Sequence, residues 1–244
     1  MVYLIRNQVD MVGASETNIT VRVPFMEYTV PGDGYQFGWQ RAIEMPNPRT
    51  VKSHLPYRFY GDSVLKNGGK IIYIMRNPKD TAVSFFHHYH GLTPGDDLKD
   101  LTMQTFIELF FETDVLTFGS VFDHFTSFWS QRWKPHVLIV FYEDLLRDKP
   151  AEIRKIATFL NVELSDEQVE LIVDATSFST MAVKKSTRIL KHEEDESAVS
   201  SGHKFYRKGE IGDWKNHFTV AESEMANEII KRRLNTQGLY FYYG

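Results

Sequence analysis

A chain of 244 residues, 42% apolar and 14% aromatic, can bury a sizeable core in one large or two small domains. Its formal charge of -4 excludes the global basic field behind non-specific nucleic-acid binding, and the absence of cysteine excludes disulfides, a thiolate nucleophile and Cys-ligated zinc. No apolar run approaches membrane-spanning length and the opening Met1 to Ile5 is too short for a signal peptide, so a cytoplasmic globular protein is expected.

In chain order, Val2, Leu4 and Ile5 read as the tail of a helix. Residues 10–48 are rich in Gly, Pro and Asn, with a strand-like or loop segment at 21–25, and 49–54 read as a short strand. The turn Asn67-Gly68-Gly69 leads into 70–75, an apolar run rich in β-branched residues of the kind that is covered on both faces in a parallel sheet. Asn77-Pro78 caps and starts a helix over 78–90, with Asp80 suited to the dipole of its first turn. Helices follow over 103–112 and 119–133, the second placing Phe118, Phe122, Phe125 and Trp129 along one stripe. A second buried strand spans 137–142. Ile153, Ile156, Ala157 and Leu160 trace a helical face, and Ser165 with Gln168 forms a capping box opening the helix that carries Val169, Ile172 and Val173. Residues 184–204 are polar and aperiodic, a mobile surface loop of the sort that acts as a lid. Met225, Ile229, Ile230 and Leu234 define a last helix with Lys231, Arg232 and Arg233 near its negative end. Strands alternating with helices predict an α/β fold, taken as one domain over 1–244.

Three constellations bear on chemistry. Arg76-Asn77-Pro78-Lys79-Asp80 joins a strand to a helix, where free backbone N–H groups beside a guanidinium suit an anion, and Ser84 lies two turns further on. Taken alone, Arg76 is more often a surface or ion-pairing arginine. Arg207-Lys208-Gly209-Glu210-Ile211-Gly212-Asp213-Trp214 combines two cations with glycines that admit close backbone approach, or is simply a charged turn. His54 stands two residues after Lys52, and the unperturbed histidine pKa of about 6.5 suits a general base, although a lone histidine is more often a polar surface or core residue. Of His87, His88 and His90 only the first and last share a helical face, which argues against a metal site, and no G-x-x-x-x-G-K-[ST] occurs. Gly32-x-Gly34 follows no convincing strand and so fails the context test for a dinucleotide fingerprint.

Three long stretches resemble the cytosolic sulfotransferase family: TVKSHLPY (50–57), RNPKDTAVSFFHHYH (76–90) and RKGEIGDWKNHFT (207–219). VRVPFMEY (21–28), FYEDLLRDKP (141–150) and TSFSTM (176–181) extend the resemblance over essentially the whole chain. The resemblance implies a P-loop-like central parallel sheet flanked by helices on both faces. It also implies a transferase that moves the sulfuryl group of 3′-phosphoadenylyl sulfate (PAPS) to a hydroxyl or amine of a small acceptor such as a phenol, alcohol or steroid. By it, His54 is the general base and Lys52 stabilises charge on the transferring group. Arg76, Ser84, Arg207, Lys208 and Gly209 hold the 3′-phosphate. Tyr142, Thr176, Ser177, Phe178 and Met181 surround the adenosine, and Phe25 and Tyr28 line the acceptor pocket. Sulfuryl transfer places less negative charge on its oxygens than phosphoryl transfer does, so fixed cations suffice and no metal is implied. KNHFTVAESE (215–224) resembles the family's dimer motif at Lys215, Thr219, Val220 and Glu224, implying a homodimer.

The resemblance departs at its start. The family opens with a strand and a loop resembling TYPKSGTTW that wraps the phosphosulfate, and no such stretch occurs here. The sequence is therefore read as N-terminally truncated, with the first strand and phosphate loop missing. The alternative function is a non-catalytic homologue that binds adenosine 3′,5′-bisphosphate or pairs with full-length subunits. An ordinary nucleotide kinase is disfavoured by the absent Walker lysine.

Overall fold

The computed structural model describes residues 1–27, 29–30, 36–92, 100–184, 186 and 206–244. Short helices open the chain: α1 (Val2–Arg6), α2 (Met11–Glu16) and α3 (Ile19–Arg22). The small strands β1 (Thr29–Val30) and β2 (Gln36–Phe37) precede α4 (Gly38–Glu44) and α5 (Gly61–Lys66). Then come β3 (Ile71–Met75), α6 (Pro78–Leu92), α7 (Met103–Glu112), α8 (Val121–Trp129) and β4 (Val137–Phe141). The remainder is helical: α9 (Tyr142–Arg147), α10 (Lys149–Leu160), α11 (Asp166–Ala175), α12 (Phe178–Val183) and α13 (Val220–Arg233). No helix among the described residues is long and apolar enough to cross a membrane.

The chain divides into two compact units, Met1–His54 with Asp148–Arg207, and Leu55–Arg147 with Lys208–Gly244. In the first, α1 packs on α10 and α10 on α11, burying Leu4 and Ile5 with Ile153, Ile156, Ala157, Val169 and Ile172. Local signals set these helices. Asp148 accepts the Ala151 N–H at 3.0 Å to start α10, and Asn161 stops it in the left-handed region at φ 60°. The Ser165–Gln168 capping box then opens α11 as its sequence predicts.

The second unit holds the parallel sheet. β3 pairs with β4 from Ile71↔Val137 to Met75↔Phe141, and the connection between them carries α6, α7 and α8. Its core is strongly aromatic: Phe106, Phe110, Phe111, Phe122, Phe125 and Phe128 pack with Ile71, Met75 and Val137 from the strands and Ile229 and Ile230 from α13. Tyr73 of β3 stacks flat on Phe128 at 3.9 Å between ring centroids.

Three sequence expectations shift. Helix 119–133 is shorter, because Phe118 and Gly119 both take positive φ, Ser120 caps the helix and Trp129 ends it. Residues 49–54 form no strand; only Lys52 bridges, in parallel, to Phe25. The segment 21–25 is strand-like at Phe25 alone, since Asn18 accepts the Thr20 N–H and draws Ile19–Arg22 into a helical turn. Tyr28 and nearly all of the expected lid over 184–204 lie outside the described residues.

Candidate active site

In the second unit, strand register assembles the first candidate cluster. Met75 lies opposite Phe141, so the residues that follow each strand meet at the C-terminal edge of the sheet, where α/β folds place ligands. The Arg76 guanidinium lies over the Tyr142 ring at 4.5 Å, and Glu143 Oε1 accepts the Asn77 N–H at 2.8 Å and an Asn77 Nδ2 proton at 3.0 Å. Burial pushes the Glu143 carboxyl above its ordinary value, although the Asn77 hydrogen bonds and the Arg76 charge oppose this.

Asp80 ties this edge to the 208–214 loop. Its Oδ1 accepts the Trp214 N–H at 2.9 Å, and its Oδ2 accepts the Gly212 N–H at 2.7 Å and an Asn77 Nδ2 proton at 2.8 Å. Arg76 Nη2 stands 3.9 Å from the same carboxylate and donates to the Glu210 carbonyl at 3.0 Å. The two stretches read separately from sequence as anion sites, 76–80 and 208–214, are thus joined through one buried carboxylate. Gly209 and Gly212 take φ of 71° and 87°, a left-handed conformation that glycine adopts without strain. Lys208 pairs with buried Asp213 at 2.5 Å, and Asp213 also meets Asn216 and His217. Ser84 is exposed on α6.

Lys79 is only 2% exposed, donates to Ser223 Oγ at 2.7 Å and lies over the Trp214 ring at 4.1 Å. Burial pulls its pKa down to about 8. The unfolded chain therefore binds more protons than the folded chain between about 8 and 10.5, so this group makes stability rise with pH across that window. Lys79→Met keeps the length and removes the buried charge. It is expected to raise stability at pH 7 by on the order of 2 kcal/mol, an advantage that disappears as pH climbs through 8 to 10.5. Denaturant unfolding at pH 7 and pH 10.5 checks this, and equal differences at both pH values would refute it.

In the first unit, the Phe25–Lys52 bridge forms the second cluster. The Lys52 N–H donates to the Pro24 carbonyl at 2.9 Å and the Met26 N–H to the Lys52 carbonyl at 2.8 Å. Lys52 Nζ stands 4.6 Å from the Phe25 ring centre, and the His54 ring meets the same ring edge-on at 4.6 Å. Burial lowers the Lys52 pKa, and the Glu27 carboxylate opposes that shift. Gly38 opens α4 directly against this segment: a Cβ there would stand 1.9 Å from the Phe25 carbonyl oxygen, so only glycine fits.

The expected adenosine residues cluster at the joint between α11 and α12. Thr176 Oγ1 donates to the Ile172 carbonyl at 2.7 Å, Lys149 Nζ to the Thr176 carbonyl at 2.9 Å, and Ser177 caps α12 by accepting the Thr180 N–H. Phe178 meets Tyr206 edge-on at 6.3 Å, Met181 is half-buried nearby on α12, and Arg207 closes the first unit's sequence. No group of three or more His, Asp or Glu side chains suited to a metal ion occurs among the described residues.

The sulfotransferase domain model matches residues 1–238. The chain belongs to the sulfotransferase family. Mouse sulfotransferase 1 family member D1 is 37% identical to it over 98% of the chain and 79% of its own length. Dog sulfotransferase 1B1 is 35% identical over 99% of the chain and 80% of its own length. A retinol dehydratase crystallised with androsterone and the inactive cofactor PAP superposes with a TM-score of 0.83 at 26% identity, over 98% of the chain and 77% of its own. The residues of these clusters that sequence reasoning missed are carboxylates. Asp80 was assigned only to a helix dipole, and neither Glu143 nor Glu27 was singled out. The signal available for Glu143 was its place directly after an apolar strand, an unusual site for an acid unless a partner awaits it.

Proposed function

We propose that this sulfotransferase moves the sulfuryl group of PAPS to the hydroxyl or amine of a small acceptor, with His54 taking the acceptor proton. The observation that carries the reading is the convergence of Lys52 and His54 on one aromatic ring: a cation and a base, two residues apart in sequence, both meet Phe25 at 4.6 Å. PAPS supplies an activated sulfuryl group. The protein takes the proton at a His54 ring nitrogen and supplies positive charge at Lys52, while Phe25 and Tyr28 are assigned to acceptor binding.

Arg76 in the second unit suits a nucleotide 3′-phosphate. Arg76 Nε is buried without a hydrogen-bond partner among the described residues, although the rest of the guanidinium is held by Glu210, Asp80 and Tyr142. Arg76, Ser84, Arg207, Lys208 and Gly209 are assigned to that phosphate, Lys208 through its backbone because Asp213 engages its ammonium. Tyr142, Thr176, Ser177, Phe178 and Met181 are assigned to the adenosine, Thr176 as an acceptor because its hydroxyl proton goes to Ile172. A domain match that runs through both units supports reading 1–244 as one sulfotransferase domain. A cytoplasmic homodimer through Lys215, Thr219, Val220 and Glu224 belongs to the same reading; Val220 is 76% exposed, available to a partner.

Calorimetric titration with adenosine 3′,5′-bisphosphate tests the donor half. Arg76→Ala and Arg207→Ala are each expected to weaken binding by at least about tenfold, the scale of one charged hydrogen bond. Unchanged affinity in both variants would remove the 3′-phosphate assignment.

A further inference from the structure

We infer that Glu27 is a positioning residue for the Lys52–His54 segment, its carboxylate standing in for a missing backbone rung so that the His54 ring is fixed against Phe25. The inference rests on the proposed role of His54. The geometry follows from the parallel bridge. Once the Lys52 N–H donates to Pro24 and the Met26 N–H to Lys52, the next rung of a parallel ladder joins the His54 N–H to the Met26 carbonyl. Here the chain turns at Glu27, and the His54 N–H donates instead to Glu27 Oε1 at 3.1 Å. The same oxygen accepts the Ser53 hydroxyl proton. One carboxylate oxygen therefore holds two consecutive residues, 53 and 54, and fixes the direction in which the second projects its ring.

The position suits a carboxylate more than it suits an apolar residue. Glu27 Oε2 is buried with no hydrogen-bond partner among the described residues, an arrangement costly to keep unless the other oxygen's bonds and a nearby cation offset it. Lys52 is that cation, since the Glu27 charge opposes the burial that draws protons off its ammonium. The carboxylate thus acts on both members of the candidate pair, on His54 by hydrogen bond and on Lys52 by charge.

The test compares Glu27→Ala with Glu27→Gln in the full chain. Gln keeps one carbonyl oxygen to accept both protons but drops the charge; Ala drops both. In proton–carbon correlation spectra of histidine-labelled protein, with His54 assigned through His54→Gln, the Phe25 ring displaces the His54 signal from its free position. Glu27→Ala is expected to return that signal to the free value, whereas Glu27→Gln leaves it displaced. In turnover, Glu27→Ala is expected to lower kcat by at least about tenfold with the donor KM within about twofold, and to add nothing to the loss already caused by His54→Ala. A His54 signal unmoved by Glu27→Ala, or losses that multiply in the double variant, would overturn the inference. A fully active His54→Ala variant would instead remove the base assignment, and the spectra would still decide whether Glu27 positions the ring.

Discussion

His54→Ala is expected to lower sulfuryl transfer by about 10²–10⁴-fold while leaving affinity for adenosine 3′,5′-bisphosphate within about twofold. The asymmetry follows from what each group touches. A general base acts on the acceptor proton as the bond to sulfur forms, so its loss falls on kcat. The groups assigned to the donor nucleotide lie elsewhere in the sequence, Arg76 and Tyr142 at strand ends of the second unit and Thr176 to Met181 at a helix joint of the first. Lys52→Ala is the informative companion. Its ammonium stands 4.6 Å from the Phe25 ring centre and has a lowered pKa, so it contributes charge where partial desolvation strengthens electrostatics. Steady-state kinetics with a phenolic acceptor, together with calorimetry, distinguishes the two effects. Parallel loss of turnover and nucleotide binding in His54→Ala would mean that the substitution disturbs the fold and not the proton transfer.

Local signals carried most of the secondary structure. Asn77-Pro78 predicted the start of α6, and the Asn77 side chain does accept the Asp80 N–H at 2.8 Å. Ser165 and Gln168 opened α11 as read, because a capping box needs only neighbours in sequence. Where the reading failed, the deciding contact was distant. Residues 49–54 look like a strand, yet only Lys52 pairs, because its partner Phe25 is followed at once by a turn. The site was legible as two basic stretches but not as one structure. Nothing near Asp80 in the sequence announces that its carboxylate receives N–H groups from residues 212 and 214, and Glu27 is silent until its oxygen is seen against His54. Carboxylates that organise backbone leave weak sequence signals, since an acid beside a helix start or in a loop already has an ordinary explanation.

Asp80→Ala is expected to destabilise the second unit by about 3–5 kcal/mol, the cost of removing one partner from a buried charged network. The carboxylate is 1% exposed and accepts three N–H protons, from Gly212, Trp214 and Asn77, with Arg76 beside it. Alanine leaves those donors buried and unpaired or forces the 208–214 loop away to reach water, and the second outcome also releases the Glu210 carbonyl that holds Arg76. Asp80→Asn separates charge from hydrogen bonding. It is nearly isosteric and keeps a carbonyl acceptor, but its amide group turns donors toward the donors already present, so a loss between that of alanine and the native protein is expected. Urea unfolding monitored by tryptophan fluorescence reports the change, since Trp214 is itself one of the groups released. The consequence for binding is separable from unfolding. In conditions where Asp80→Ala remains folded, adenosine 3′,5′-bisphosphate affinity is expected to fall at least as far as in Arg76→Ala, because the loop and the guanidinium are lost together. A variant that unfolds at the native urea midpoint would show that water or neighbouring groups take over the three N–H bonds, and the carboxylate would then not be what joins the two basic stretches.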